Sequence, residues 1–419
     1  MGSTRRRLGF TEKVSELQGV RMRILFFAGK GGVGKTSLSA ATGIKAAESG
    51  YRTVVLSLDV AHSLADIFDL EQCLLDQNQG RPVPVAPNLY IQELDIQEEI
   101  RTNWGDIYKY LAILLNTTGL DEILAEELAI LPGMEEISLL LYINRYARDN
   151  AYDVIILDCA PTGESIRFIS IPTTLEWYMK KLFRLERTVA RYARPIASRV
   201  YDIPLPGDDY FQAIESLFKR LRGVDALLTD PDITTVRLVT NPEKIVIKET
   251  QRAFMYFSLY KMSIDAIIIN RILPASLKED YFSDWIEGQR QHIENAREFF
   301  SPIPILSIHQ LREEIFGYDR LKDLADRLYQ HRRPLDRFFH DPPFDLSKTE
   351  GGYLLTLKLP FADKTDVELN RVSDELICRV GAFKRHILLP RGLAGLDAVS
   401  AKLDGNLLRI AFKGDRHDR

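Results

Sequence analysis

Gly29-Lys30-Gly31-Gly32-Val33-Gly34-Lys35-Thr36-Ser37 is the stretch that decides the fold. An apolar, strand-like run at residues 24–28 leads into it, and a helix-like run at 38–49 leaves it. Strand, glycine loop, lysine, hydroxyl and helix in that order build a cradle for phosphate. Glycine has no Cβ, so successive backbone N–H groups can turn toward one anion. The helix N-terminus adds about half a positive charge behind them. In this pattern Lys35 reaches the terminal phosphates of a nucleotide, and the Thr36 hydroxyl takes a place on Mg²⁺. Lys30 is a further lysine inside the loop, where the general pattern admits any residue.

The rest of the composition narrows the class. With 419 residues, two or three domains are expected. Apolar content of 45% and charged content of 27% are those of an ordinary globular protein. A net charge of −4 gives no global attraction to nucleic acid or to an anionic membrane. Cys73, Cys159 and Cys378 lie far apart with no Cys-x-x-Cys pair, which argues against a cysteine zinc site within one chain and against a disulfide framework. No apolar run approaches the length of a membrane span. Arg5-Arg6-Arg7 is not followed by the apolar stretch of a secretory leader, so a cytoplasmic setting is expected.

Residues 1–22 read as a polar extension, and residues 23–333 as an α/β domain. Strand-like runs at 24–28, 53–58, 89–94 and 154–157 alternate with helical ones, which implies a mainly parallel sheet flanked by helices. Residues 97–150 and 175–228 are helical in pattern and form an expected helical subdomain. Strands resume at 236–240, 266–270 and 305–308, and 311–333 reads as a closing helix. Residues 334–343 are charged, proline-rich and aperiodic, the marks of a linker. Beyond it, residues 344–415 carry short strands at 353–359, 376–380, 384–389, 400–403 and 407–412, separated by turn residues. That spacing predicts a small all-β sandwich.

Four further segments fit the loop. The strand at 53–58 ends in Asp59, at the ligand crevice of such folds. A carboxylate there suits either an attacking water or the cap of the following helix. The strand at 154–157 ends in Asp158, which suits the Mg²⁺ shell. Gly163 follows closely, where a backbone N–H can meet a γ-phosphate and the loop can change shape when that phosphate leaves. Asn241-Pro242-Glu243 and Asn270 stand at later strand ends. An Asn amide there suits either an adenine edge or a turn.

Taken together, Gly29 to Thr36, Asp59-Val-Ala-His-Ser-Leu64, Asp158-Cys-Ala-Pro-Thr-Gly163, Asn241-Pro-Glu243 and Asn270-Arg-Ile-Leu-Pro274 resemble the motifs of the ArsA family of ATPases. That family includes the arsenite-pump ATPase and the ATPases that target tail-anchored membrane proteins. The resemblance covers about residues 23–333 and implies a P-loop NTPase fold, ATP and Mg²⁺ as cofactors, and a homodimer with two facing ATP sites. It makes Lys30 the lysine that crosses to the partner's nucleotide. It also assigns Asp59 to the attacking water, Thr36 and Asp158 to Mg²⁺, and Asn270 to adenine. A hydrophobic client, such as a membrane-protein segment, and transient proximity to a membrane are implied partners. Nucleic acid is not.

Departures from the family are specific. Position 60 is Val where Pro is usual, and no cysteine set matches the metalloid ligands of arsenite pumps. Residues 344–415 resemble the α-crystallin domain of small heat-shock proteins, with Gly405-Asn406-Leu407-Leu408-Arg409-Ile410 as the best match. Such a domain binds client chains or buttresses the dimer. Lys180, Arg184, Arg187, Arg191 and Arg194 recur at spacings of four and three, as a solvated helix face or a surface for an anionic partner.

Overall fold

A computed structural model describes residues 22–58, 63–70, 78–116, 133–181, 183, 186–190, 206–277, 280–349, 352–372, 375–389, 393, 396–413. Asp59, His62, Cys73 and the arginines at 184, 191 and 194 lie outside them. The large domain is built on one eight-stranded sheet in the order β3-β4-β2-β5-β1-β6-β7-β8. Its strands are β1 (Arg23–Gly29), β2 (Thr53–Ser57), β3 (Val83–Ala86), β4 (Leu89–Gln92), β5 (Val154–Asp158), β6 (Thr234–Thr240), β7 (Ile264–Ile272) and β8 (Ile305–His309). All neighbours are parallel except the edge pair β3–β4. β3 was not anticipated. Pro84 weakens its strand pattern, and an edge is where a sheet tolerates proline.

Side chains alternate across the central strands, as a period of two requires. Leu25 and Phe27 face one layer of helices, α1 (Lys35–Glu48), α2 (Ser63–Ile67) and α10 (Tyr318–Tyr329). Ile24, Phe26 and Ala28 face the other layer. That layer holds α3 (Gly105–Asn116), α4 (Met134–Asp149), α5 (Thr162–Lys181), α6 (Asp208–Leu221), α7 (Val224–Thr229), α8 (Lys244–Leu259) and α9 (Asp280–Phe300). The chain enters α3 from the short helix Ile96–Glu99 through a π-helical turn, Ile100–Trp104. The closing helix is shorter than its pattern implied, because Gly317 at φ 77 starts it and residues 310–317 form a loop.

Residues 334–341 do not hang free. Arg237, wholly buried on β6, donates to Tyr329 Oη at 2.8 Å and to the carbonyls of Pro334 at 2.7 Å and Asp336 at 3.3 Å. Its Nε lies 3.3 Å from Asp265, which also accepts from Thr235 at 3.0 Å. Tyr329 in turn meets Thr42 of α1 at 2.6 Å. The guanidinium lies 4.7 Å from the centre of the Phe338 ring, a cation–π contact. One buried cation therefore ties β6, β7, α10 and the inter-domain segment together.

The C-terminal segment folds as two antiparallel sheets, β14-β15-β10-β9 and β11-β12-β13. The strands are β9 (Phe344–Thr349), β10 (Gly352–Lys358), β11 (Val367–Val372), β12 (Glu375–Val380), β13 (Phe383–Leu388), β14 (Asp397–Asp404) and β15 (Leu407–Lys413). Leu355, Leu357, Leu376, Cys378, Ile410 and Phe412 fill the sandwich, and its buried residues run on without a break into the large domain's second layer. At the junction, Arg385 of β13 donates to the carbonyl of Leu259, and Tyr260 Oη donates to the Lys384 carbonyl at 3.4 Å. The Lys261 ammonium sits 3.8 Å from the centre of the Phe344 ring. Trp177 of α5 lies 5.6 Å from the His386 ring.

Arg237→Met leaves Asp265 buried without its main counter-charge, so it should cost about 3–5 kcal/mol in urea unfolding. Adding Asp265→Leu should recover part of that loss. Burial and the neighbouring Arg385 push Lys261 down to about 8 from an ordinary 10.5, with Asp225 opposing. Folding therefore expels a proton between those values, and stability should rise as pH increases through that window. Lys261→Met should flatten the slope in thermal unfolding followed from pH 8 to pH 10.

Candidate functional site

β1 delivers the glycine loop at the carboxyl end of the sheet, and α1 leaves it at once. Gly29 backs onto β6 so closely that a Cβ would meet the Val239 carbonyl oxygen at 2.2 Å. Gly34 precedes α1 with φ 96, and a Cβ there would lie 2.4 Å from Asn270 Nδ2. Substituting Gly34 thus meets both a backbone and a steric barrier. α1 has no side-chain cap and no acid in its first turn. α4, α6, α7, α8 and α10 also lack a side-chain cap, so it is the glycine loop ahead of α1 that sets this end apart. Here the first amides are left to an anion, which fits a phosphate.

Lys35 is buried and donates to the Lys30 carbonyl at 3.1 Å, so its ammonium lies over the loop. Thr36 and Ser37 follow in the first turn of α1, both half-buried. Gly31 and Gly32 are exposed at the loop's crest, and Val33 is packed beneath it. Lys30 is half-buried, and among the described residues it forms no ion pair. Its charge is therefore not spent on a described neighbour in the same chain.

Register brings Asp158 to the loop. β5 lies between β1 and β2, with Asp158 opposite Phe27 on one side and Ser57 on the other. The carboxylate is 1% exposed, deeper than an ordinary strand-end acid. Pro161 packs near Gly31, about 3.9 Å from where its Cβ would be. Gly163 falls in the first turn of α5, whose Ser165 donates back to the Ala160 carbonyl at 2.6 Å.

On the other side, Asn241 is buried just after β6, and among the described residues its Oδ1 finds no hydrogen-bond partner. A buried, unmatched acceptor costs about 1–3 kcal/mol, and a ligand donor such as an exocyclic amine would remove that cost. Pro242 is buried, while Glu243 is exposed and starts α8. Asn270 is expected from the sequence to end its strand on the ligand rim. Instead β7 continues to Ile272, and Asn270 Nδ2 donates to the Val33 carbonyl at 2.9 Å. Its amide braces the loop directly.

Sequence reasoning passed over Glu93. This 2%-exposed acid just beyond β4 accepts from the amides of Leu64 at 2.8 Å and Ala65 at 3.3 Å, fixing the start of α2. Asp59 itself lies outside the described residues, but the helix after its segment is held by this carboxylate. The available signal was a polar pair, Gln92-Glu93, closing an otherwise apolar strand.

Neither of the described cysteines offers a reactive thiolate. Cys159 is buried beside Asp158, and burial pushes its thiol far above the ordinary range. Cys378 is buried in the sandwich, where its thiol is pushed up to about 11. Among the described residues no group of three His, Cys, Asp or Glu is placed to hold a metal, and no helix is long and apolar enough to cross a membrane. Lys180 pairs with Glu176 and Arg187 with Glu215, both as exposed ion pairs.

A family model described as an anion-transporting ATPase matches residues 22–330, and one described as an HSP20-like domain found in ArsA matches 350–412. A protein named arsenical pump-driving ATPase 1 from Aquifex aeolicus is 47% identical over 394 residues, spanning 93% of this chain and 99% of that one. A second arsenical pump-driving ATPase, from Chlorobaculum tepidum, is 36% identical over 404 residues, spanning 95% and 98%. ATPase get3 of Aspergillus terreus is 28% identical over 317 residues, spanning 73% and 90%.

Gly34→Ala should weaken binding of a non-hydrolysable ATP analogue at least tenfold by calorimetry. Asn270→Ala added to it should restore only part, because the backbone barrier remains. Glu93→Ala should lower kcat by about tenfold to a hundredfold through misplacement of the α2 segment. Glu93→Gln keeps an acceptor and should lose less.

Proposed function

The chain belongs to the anion-transporting ATPase family and is an ATPase, and from that premise we propose that it works as a Mg²⁺-dependent homodimer that binds and releases a hydrophobic client. The loop and helix end receive the triphosphate, with Lys35 at its terminal phosphates. Thr36 and Asp158 hold the Mg²⁺, which neutralises phosphate charge and orients the terminal group. Asn241 and Asn270 face the base. Asp59 positions the attacking water.

Lys30 carries the dimer reading. A half-buried loop cation with no ion pair among the described residues is suited to a phosphate presented by a second copy. A cation lent in trans stabilises charge in phosphoryl transfer as an arginine finger does, and ties turnover to closure of the dimer. ATP binding then closes the two copies and hydrolysis reopens them. The client is a membrane-protein segment or another apolar polypeptide, handled by the helical layer.

The names of two relatives favour a second reading, the energising subunit of an arsenical pump. Burial of Cys159 and Cys378 and their wide separation in the fold, one beside the glycine loop and one in the sandwich, weigh against it, since they cannot share one metalloid. A nucleotide-gated binding module with incidental turnover is the remaining alternative.

Lys30→Ala should abolish turnover while keeping measurable ATP affinity, whereas Lys35→Ala should weaken both. Equal loss of affinity in the two variants refutes the trans role. In small-angle scattering the wild type should compact as a dimer with Mg²⁺ and ATP; a persistent monomer overturns the reading. Asp59→Asn should retain client in the ATP-bound state. Client release at the wild-type rate without hydrolysis would instead favour the gated module.

A further inference from the structure

Two helices connect the nucleotide end of the sheet to the C-terminal sandwich. α5 starts at Thr162, immediately after Asp158–Pro161, and its first turn is bonded to that loop through Ser165 and the Ala160 carbonyl. Its 20 residues span about 30 Å at 1.5 Å each. The far part of α5 packs on β13, with Trp177 against the His386 ring. α8 starts after Asn241-Pro242-Glu243 and ends at Leu259. The Leu259 carbonyl takes the Arg385 guanidinium, and Tyr260 reaches the Lys384 carbonyl. Residues 384–386 of one strand therefore touch the far ends of both helices.

This junction is not fully satisfied. Arg385 Nε and Glu375 Oε1 are buried with no hydrogen-bond partner among the described residues, although Glu375 Oε2 lies 3.4 Å from His386 Nδ1. Buried polar atoms are almost always matched in a settled interface. Asn241 and Ser263 carry similar atoms elsewhere, but here two fall beside one strand that bridges two helices, and a second arrangement of the seat would let them find partners.

We propose that the C-terminal sandwich reads the nucleotide state of the ATPase domain, with β13 taking one seat on α5 and α8 when nucleotide is bound and another when it is not. This rests on the proposed contacts of the Asp158–Gly163 and Asn241–Glu243 loops with nucleotide. Both loops continue without a break into helices, α5 carrying Pro172 in its interior, so a shift at either one is passed to the surface that carries β13, with Pro172 as the place where α5 can bend. The coupling is reciprocal. If nucleotide shifts the seat, disturbing the seat shifts nucleotide affinity by the same factor.

The test uses the full chain. Hydrogen–deuterium exchange is compared for the empty protein, with Mg²⁺–ADP, and with Mg²⁺ and a non-hydrolysable ATP analogue, binding being followed separately by calorimetry. The expected result is a nucleotide-dependent change in exchange over residues 383–389. Unchanged exchange there while calorimetry shows bound nucleotide overturns the proposal. Absence of any binding instead overturns the nucleotide-site reading beneath it. As the reciprocal arm, Arg385→Gln and Trp177→Ala should each alter ATP affinity about fivefold or more, with thermal unfolding confirming that both variants fold. Wild-type affinity in both folded variants would also overturn it.

Discussion

The Asn270 amide reaches past the end of β6 to the Val33 carbonyl, and this contact exists only because position 34 has no side chain. Any larger residue would push β7 and the loop apart. The same absence lets the backbone turn left-handed at Gly34, which leaves the first amides of α1 without a cap. Loop shape, helix charge and the closeness of β7 are thus one constraint seen three ways. With Gly29 pressed against the Val239 carbonyl, the loop is backed by two strands before any ligand arrives. Such preorganisation lowers the ordering cost of binding an anion.

Much of this was legible because the signals were local. Residues 24–28 are apolar without alternation, as a strand buried on both faces must be, and the loop and helix follow in fixed spacing. Asp158 was readable for the same reason. What escaped depends on distant pairing. Glu93 serves α2 through backbone amides 28 and 29 residues away, and nothing in its own neighbourhood announces that. Asn270 was read as a strand-end residue, yet its engagement with the loop follows from the sheet order, which no single strand reveals.

The segment at 334–343 shows the limit most clearly. Its composition is that of a tether, and its backbone forms no regular helix or strand. What anchors it is Arg237, almost a hundred positions earlier in a run that otherwise reads as an apolar strand. A charged residue in such a strand is a conspicuous anomaly, but its partners, two backbone carbonyls, a tyrosine and Asp265, have no pattern of their own. The short strands of the C-terminal segment were visible at 376–380 and 407–412, whereas β9 and β11 were not, since their half-polar alternation lacks a strong apolar face.

That anchored segment also limits how far the sandwich could travel in changing seats. Only a few residues separate the Arg237 clamp from the first strand at Phe344. A detached sandwich would remain within a small volume around the junction, at an effective concentration on the order of millimolar. Contacts far too weak to hold two separate molecules together are then enough to bring it back. An interface with unmatched polar atoms is tolerable under such confinement, because the chain itself keeps the partners from diffusing apart.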